Sequence, residues 1–240
     1  MYKRQAKHIE LDLSKTKVII TTTKGGIDEP AKEDILDQIG QVEMLKGIQP
    51  MIISNACVSG VMGIIQAANL LEQEKYSNAL VIGVDFATDF ILSGFESLHA
   101  LSENECRPYD EARDGINLSD CIASVFMTTD PSQVTDQAFS YMGGASANDA
   151  NHISGPSRNG EGLVRSVNRA LEMARMPAST IDYISAHGTA TRYNDEMESI
   201  AFERLEMSDV PVNSLKGYFG HTLGAAGVLE VVLALYLIHI

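Results

Sequence analysis

Three stretches of the chain carry side chains able to do nucleophilic or proton chemistry, each among small or glycine residues. The first is Ser54-Asn-Ala-Cys57-Val-Ser-Gly60, set between the apolar run Met51-Ile-Ile-Ser54 and a long helical pattern from Val58 to Leu71. A cysteine at a helix start meets unpaired backbone N–H groups and the positive end of the helix dipole, and both favour thiolate over thiol. Cys57 is therefore a candidate nucleophile with a lowered pKa, and Ala56, Ser59 and Gly60 leave room for a substrate to approach. Cysteine is also a frequent core residue, so position alone leaves packing open as its role. Cys106 and Cys121 lack such a turn and read as packing residues.

The second stretch is Ser185-Ala-His187-Gly-Thr-Ala-Thr191, where a histidine emerges at the C-terminal end of an apolar strand. Ligands of open α/β sheets bind at that end. The hydroxyls of Thr189 and Thr191 would face the same way if this segment stays extended. A hydrogen-bonded structural histidine explains the pattern equally well. The third stretch runs from Asn213 through Lys216, Gly220, His221 and Gly227. Neither GxGxxG nor GxxxxGK[ST] is present, which excludes the usual phosphate loops. Its glycines are expected to let the backbone press close to a partner or a bound acyl chain.

Cys57, His187 and His221 all fall at strand ends and could converge. A Cys-His-His zinc site is one outcome, although no i, i+3 or i, i+4 pair anchors the ligands. The other is a thiolate with two imidazoles. That set suits a reaction in which charge appears on a thioester oxygen and is held by two N–H donors, such as carbon–carbon bond formation through an enolate.

The elements that must position these groups alternate. Strands are predicted at Val18–Thr23, Met51–Ser54, Ala79–Val84, Ile122–Thr129, Ile181–Ala186 and Val210–Asn213. Amphipathic helices are predicted at Glu33–Leu45 and Gly162–Arg175, and buried ones at Val58–Leu71 and from Ala225 onward. Strands that are apolar without alternation mean an α/β fold with a sheet covered on both faces. The last apolar run, Leu223–Ile240, is expected to be a buried helix and not a membrane span, because Glu230 interrupts it and glycines open it. It stops without a cap and so reads as a fragment end. Met1–Gln5 joins no pattern and is expected to be an adapter-derived, non-native segment, leaving 6–240 as one domain.

Composition narrows the class. A chain that is 45% hydrophobic and 21% charged folds, and a net charge of −14 argues against a general nucleic-acid binder. Three cysteines without a CxxC pair point to a reducing compartment, expected to be the cytoplasm.

Together Asn55-Ala-Cys57-Val-Ser-Gly60, His187-Gly-Thr-Ala-Thr191 with Asn194-Asp195, and Lys216 with Gly220-His221-Thr-Leu-Gly-Ala-Ala-Gly227 resemble the β-ketoacyl synthases, of the elongating Cys-His-His type. Supporting matches are Cys106–Gly115 and Asp149–Ser154. The resemblance implies a thiolase-like layered α/β/α/β/α fold, incomplete at both ends, with a nucleophile half at about 18–130 and a histidine half at about 135–240. It implies decarboxylative Claisen condensation of an acyl thioester with malonyl-acyl carrier protein in fatty-acid, polyketide or polyene synthesis.

By the same resemblance Cys57 takes the acyl chain, while His187 and His221 assist decarboxylation and hold the enolate oxygen. Lys216 is expected to pair with Glu198 behind the histidines. Thr189 and Thr191 would contact the phosphopantetheine arm, and Phe95 and Ser154 the substrate. No metal and no cofactor are implied beyond the phosphopantetheine that arrives on the carrier. The partners implied are acyl carrier protein and a second synthase subunit, in a homodimer or heterodimer.

The family extends beyond both ends of this sequence, so the 240-residue piece alone is expected to be inactive. Two departures stand out: Gly115–Cys121 replaces a glycine- and glutamate-rich strand entry, and His99 stands where many members have arginine. Arg158, Arg165, Arg169 and Arg175 are the candidate docking face for an acidic carrier. A non-catalytic chain-length-determining subunit is the alternative within the fold; such relatives usually lack the cysteine that Cys57 supplies here.

Overall fold

The computed structural model describes residues 12–25, 47–149, 155 and 157–237. The segment Met1–Gln5, the helical pattern Glu33–Leu45 and Ser154 lie outside the described residues.

The apolar runs form two sheets. Strands β1 (Thr16–Thr21), β2 (Met51–Ile53), β3 (Asn78–Asp85) and β4 (Cys121–Thr128) lie in the order β2-β1-β3-β4. β1 runs parallel to β2 and β3, and β4 antiparallel to β3 with Cys121 opposite Asp85. Strands β5 (Ile184–Ser185) and β6 (Val212–Asn213) pair in parallel as a second sheet. The run Ile181–Ala186 yields only two strand residues because a 3₁₀ turn at Ala178–Thr180 is still closing at Ile181. Among the described residues the helices are α1 (Ser59–Glu72), α2 (Asp89–Ser97), α3 (Glu161–Ala174), α4 (Arg192–Arg204), the single turn α5 (Lys216–Phe219) and α6 (Ala226–Leu237).

The two-residue period of a strand sends Ile19 and Val81 to one face of the first sheet and Val18, Ile20, Ile82 and Val84 to the other. α1 and α6 cover the first face, where Ile64, Ala67, Leu70 and Val228 close over Ile19, Ala79 and Val81. Burying Ile19, Val81 and Val228 completely stabilises the fold by about 1.5–3 kcal/mol each. The second face is covered only in part among the described residues: Ile48 packs on Val18 and Ile20, while Ile52 and Ile122 are exposed.

α1 and α6 cross with their backbones in contact. A Cβ on Gly60 would meet Val228 N at 2.8 Å, and one on Gly227 would meet Val61 N at 2.6 Å. Gly60 therefore serves helix packing, and the room expected there for a substrate is filled by α6. α6 follows the second sheet in sequence yet packs on the first, which brings the intervening loop to the end of α1.

The second core gathers Ala186, Phe202, Leu205 and Met207 against Leu163, Val167 and Leu171, so α3 and α4 pack around β5. α4 has no apolar stripe for sequence reading to detect, because its buried positions include Asp195 and Glu198. No helix among the described residues is long and apolar enough to cross a membrane.

Candidate active site

Left-handed residues build each of the turns that carry a reactive group. Ala56 has φ +46°, Gly188 +43°, Ala190 +57° and Leu223 +54°. The three non-glycine residues are held there at about 1–3 kcal/mol each, a strain that collects at functional sites. Ser59 closes the first turn: its Oγ accepts the Asn55 N–H at 2.7 Å and donates to the Ala56 carbonyl at 2.6 Å. Cys57 stands at the apex, just ahead of α1.

His187 follows β5, and two carboxylates from α4 hold its loop by the backbone. Glu198 accepts the N–H groups of His187 at 2.9 Å and Gly188 at 2.7 Å, and Asp195 accepts that of Thr189 at 2.9 Å. Glu198 also accepts from the Tyr109 hydroxyl at 3.0 Å and from Asn194 at 2.9 Å. These charge-assisted bonds fix the loop. Burial nonetheless pushes the Glu198 carboxyl up, against the pull of the Gly188 N–H and the Tyr109 hydroxyl. Thr189 and Thr191 do face the same way, with their hydroxyl oxygens 2.7 Å apart, but a left-handed Ala190 brings them together and not an extended chain.

Lys216 lies buried behind His187. Its ammonium donates to the His187 carbonyl at 2.6 Å, stands 3.3 Å from His187 Nδ1 and pairs with Glu230 of α6. The expected Lys216–Glu198 pair is thus corrected: Glu198 is spent on backbone N–H groups, and Glu230 neutralises the lysine. The buried Cys106 thiol donates to the Lys216 carbonyl at 3.0 Å, a packing and anchoring role.

His221 accepts the Leu223 N–H on Nδ1 at 3.1 Å, so its proton sits on Nε2. That Nε2 is buried and has no hydrogen-bond partner. The two imidazoles meet edge to face, centroids 5.2 Å apart at 87°. Cys57 Sγ and a nitrogen of each ring all lie within 4.8 Å of one another.

The electrostatics run against part of the sequence reading. Burial pushes the Cys57 thiol up, with Lys216 pulling it back, so the lowered pKa expected from the helix start is corrected. Burial, then Lys216, pulls His221 down to about 3, and burial, Lys216 and His221 hold His187 well below the usual imidazole range. At neutral pH the cluster is a thiol beside two uncharged rings.

By distance these three groups could hold a metal ion. Their tautomers are a poor fit. A ligand nitrogen needs a free lone pair, whereas Leu223 N–H takes His221 Nδ1 and leaves Nε2 carrying the proton. His187 Nδ1 likewise faces the Lys216 ammonium.

Residues 40–133 match the family described as "Beta-ketoacyl synthase, N-terminal domain", and residues 139–239 match "Beta-ketoacyl synthase, C-terminal domain". The chain belongs to the β-ketoacyl synthase family. It is 34% identical over 210 residues to 3-oxoacyl-[acyl-carrier-protein] synthase 2 of Rhizobium meliloti, covering 80% of this chain and 49% of that one. It is 32% identical over 195 residues to the tetracenomycin polyketide synthase ketoacyl synthase alpha subunit of Streptomyces glaucescens, covering 75% and 45%. The chain therefore spans about half the length of these relatives. A solved ketosynthase in complex with its chain length factor, from Xenorhabdus doucetiae, superposes with a TM-score of 0.81 at 29% identity, covering 94% of this chain and 61% of that one. The layered α/β architecture is that of the thiolase-fold ketosynthases.

The remaining expected contacts lie on α2 and on and around α3. Phe95 lies on α2, where it lines an apolar groove of about 650 Å³ with Phe90, Ile91 and Leu98; Cys57 and the two histidines do not line it. Arg158, Arg165, Arg169 and Arg175 are all exposed on and around α3, with Arg165 3.8 Å from Glu161. Sequence reading missed Glu230, Asp195 and Tyr109 as parts of the site. The lone charge in α6 was the signal for Glu230, and the i, i+3 acids after Thr191 were the signal for Asp195.

Proposed function

We propose that this chain carries the condensing centre of a β-ketoacyl synthase, which extends an acyl chain by decarboxylative Claisen condensation with malonyl-acyl carrier protein. One observation carries the reading: His221, whose buried Nε2–H has no partner, clusters with both the Cys57 thiol and His187. A buried donor without a partner costs about 1–3 kcal/mol, and a substrate oxygen drawing charge there would relieve it.

The steps balance. Cys57 sulfur bonds to the acyl carbonyl carbon, the carbon–sulfur bond to the carrier arm breaks, and the thiol proton passes to the departing pantetheine sulfur. The malonyl C–COO⁻ bond then breaks to release carbon dioxide, leaving an enolate whose oxygen the two Nε2–H groups would hold. The enolate carbon bonds to the acyl carbon, Cys57 leaves as thiolate, and it regains a proton from solvent. Neutral imidazoles suit this work, because each already presents a donor without first taking up a proton. Lys216 and Glu198 position His187; Thr189 and Thr191 would meet the phosphopantetheine arm, the only cofactor group in this reading.

The similarity to a 3-oxoacyl-[acyl-carrier-protein] synthase supports carrier protein as partner, and the solved complex with a chain length factor supports a second synthase-like subunit. The four exposed arginines supply the docking face and Phe95 the acyl contact in this proposal. Three unbridged cysteines fit a reducing compartment, the cytoplasm. Transfer of a labelled acyl group from carrier thioester to protein tests the nucleophile. Within the whole synthase, wild type should be labelled and Cys57→Ala should not; labelling of Cys57→Ala would overturn the assignment.

A further inference from the structure

Asp85 is a buried carboxylate that the condensation chemistry does not use, and it ties together the two turns that do the chemistry. It sits at the end of β3, 2% exposed. Its Oδ2 accepts the N–H groups of Thr23 at 2.6 Å and Gly224 at 2.9 Å. Its Oδ1 accepts from Lys24 Nζ at 2.5 Å and from the Phe86 N–H at 3.2 Å. Lys24, whose side chain is only 5% exposed, also donates to the Phe86 carbonyl at 2.7 Å.

The Thr22–Lys24 segment thus touches both reactive turns. On one side Ser54 Oγ donates to the Thr23 carbonyl at 2.9 Å, and Ser59, which closes the Cys57 turn, reaches the Thr22 carbonyl at 3.5 Å. On the other side Gly224 is held at both ends, its N–H by Asp85 and its carbonyl by the Thr21 hydroxyl at 3.1 Å. A Cβ on Gly224 would meet the Thr22 carbonyl carbon at 2.6 Å, so that turn is seated directly on the segment. Its neighbour Leu223, held at φ +54°, gives the N–H that occupies His221 Nδ1.

We infer that the Lys24–Asp85 ion pair is a positioning device for His221: by clamping the Gly224 N–H it holds the Leu223 N–H on Nδ1 and so keeps the His221 proton on Nε2, facing the reaction centre. Its functional meaning rests on the condensing reading above, whereas its geometry does not. Without the clamp, Leu223 can relax from its left-handed conformation, the ring can exchange its tautomer, and the site loses one of two donors.

The test reads the tautomer itself, with no substrate present. The 240-residue chain is labelled with ¹⁵N in its histidine imidazoles, and the His221 signals are identified by their loss in His221→Gln. Wild type should show Nε2 protonated and Nδ1 as acceptor. Asp85→Asn should shift the tautomer ratio of His221 toward Nδ1–H by about tenfold, the effect of one charge-assisted hydrogen bond, and Asp85→Glu should restore part of it. Should Asp85→Asn fail to fold, Lys24→Met decides the question, with a shift in the same direction expected. A folded Asp85→Asn or Lys24→Met protein with the wild-type His221 signature would overturn the inference. Acyl labelling of Cys57 is measured separately, so failure of the condensing assignment would leave this result standing.

Discussion

Burial keeps the Cys57 thiol protonated and the two imidazoles neutral, so the reactive groups wait uncharged until substrate arrives. This has a pH signature. Unfolded, His221 binds its proton near pH 6.5; folded, it does so only at about 3. Between those values the unfolded chain binds more protons, so stability falls as pH falls. At pH 5 the loss is about 2 kcal/mol from this ring. His221→Gln does not carry that loss, so wild type should lose about 2 kcal/mol relative to the variant between pH 7 and pH 5 in urea unfolding; a constant gap would refute the depressed pKa. A second outcome concerns the sulfur. Lys216 lowers the Cys57 pKa, so Lys216→Met should move the pH profile of Cys57 alkylation upward, and an unmoved or lowered profile would show that the lysine charge does not reach it. Cys57 and both histidines were legible in the sequence because nucleophile and imidazole types stand among glycines at strand ends. The carboxylates that pair with Lys216 and Lys24, Glu230 and Asp85, were not, because a carboxylate's partner depends on which distant segment folds against it.

At the scale of elements, sequence reading found those with an apolar period and lost those whose inward face is polar or short. β1, β3, β4, α1 and α3 emerge within a residue or two of their expected limits. α4 was missed because carboxylates occupy its buried positions, and β5 was overextended because an apolar run need not find a strand partner along its whole length. The glycines were legible as close approaches, but the surfaces they meet belong to this chain. Gly60→Ala and Gly227→Ala each push a methyl into the opposite helix backbone, at 2.8 Å and 2.6 Å. Each should destabilise by about 1–3 kcal/mol, read as a lower urea midpoint with an unchanged slope. Gly94 on α2, where an added Cβ meets nothing within 4 Å, is the control, and Gly94→Ala should not lower the midpoint. Equal effects at all three positions would show that helix propensity and not the crossing decides.

At the scale of the whole molecule, the two cores are joined through the site. Lys216 opens α5, the helical turn that follows the second sheet, and Glu230 belongs to α6, which packs on the first. Their side chains are 1% and 17% exposed, so the pair is an ionic link across the region where sulfur and imidazoles meet. Removing one partner of a buried pair leaves the other charge uncompensated, at about 3–5 kcal/mol, whereas removing both in favour of apolar groups costs much less. Glu230→Gln should therefore lower stability by about 3–5 kcal/mol. Lys216→Met/Glu230→Leu should recover most of that loss while still lacking the positioned His187. Because the link spans both cores, the loss should appear equally when unfolding is followed by backbone circular dichroism and by exposure of Cys57 to alkylation. Additive single-variant effects, or a loss confined to the cysteine probe, would mean that Lys216 and Glu230 act only within the site and do not hold the two sheets together.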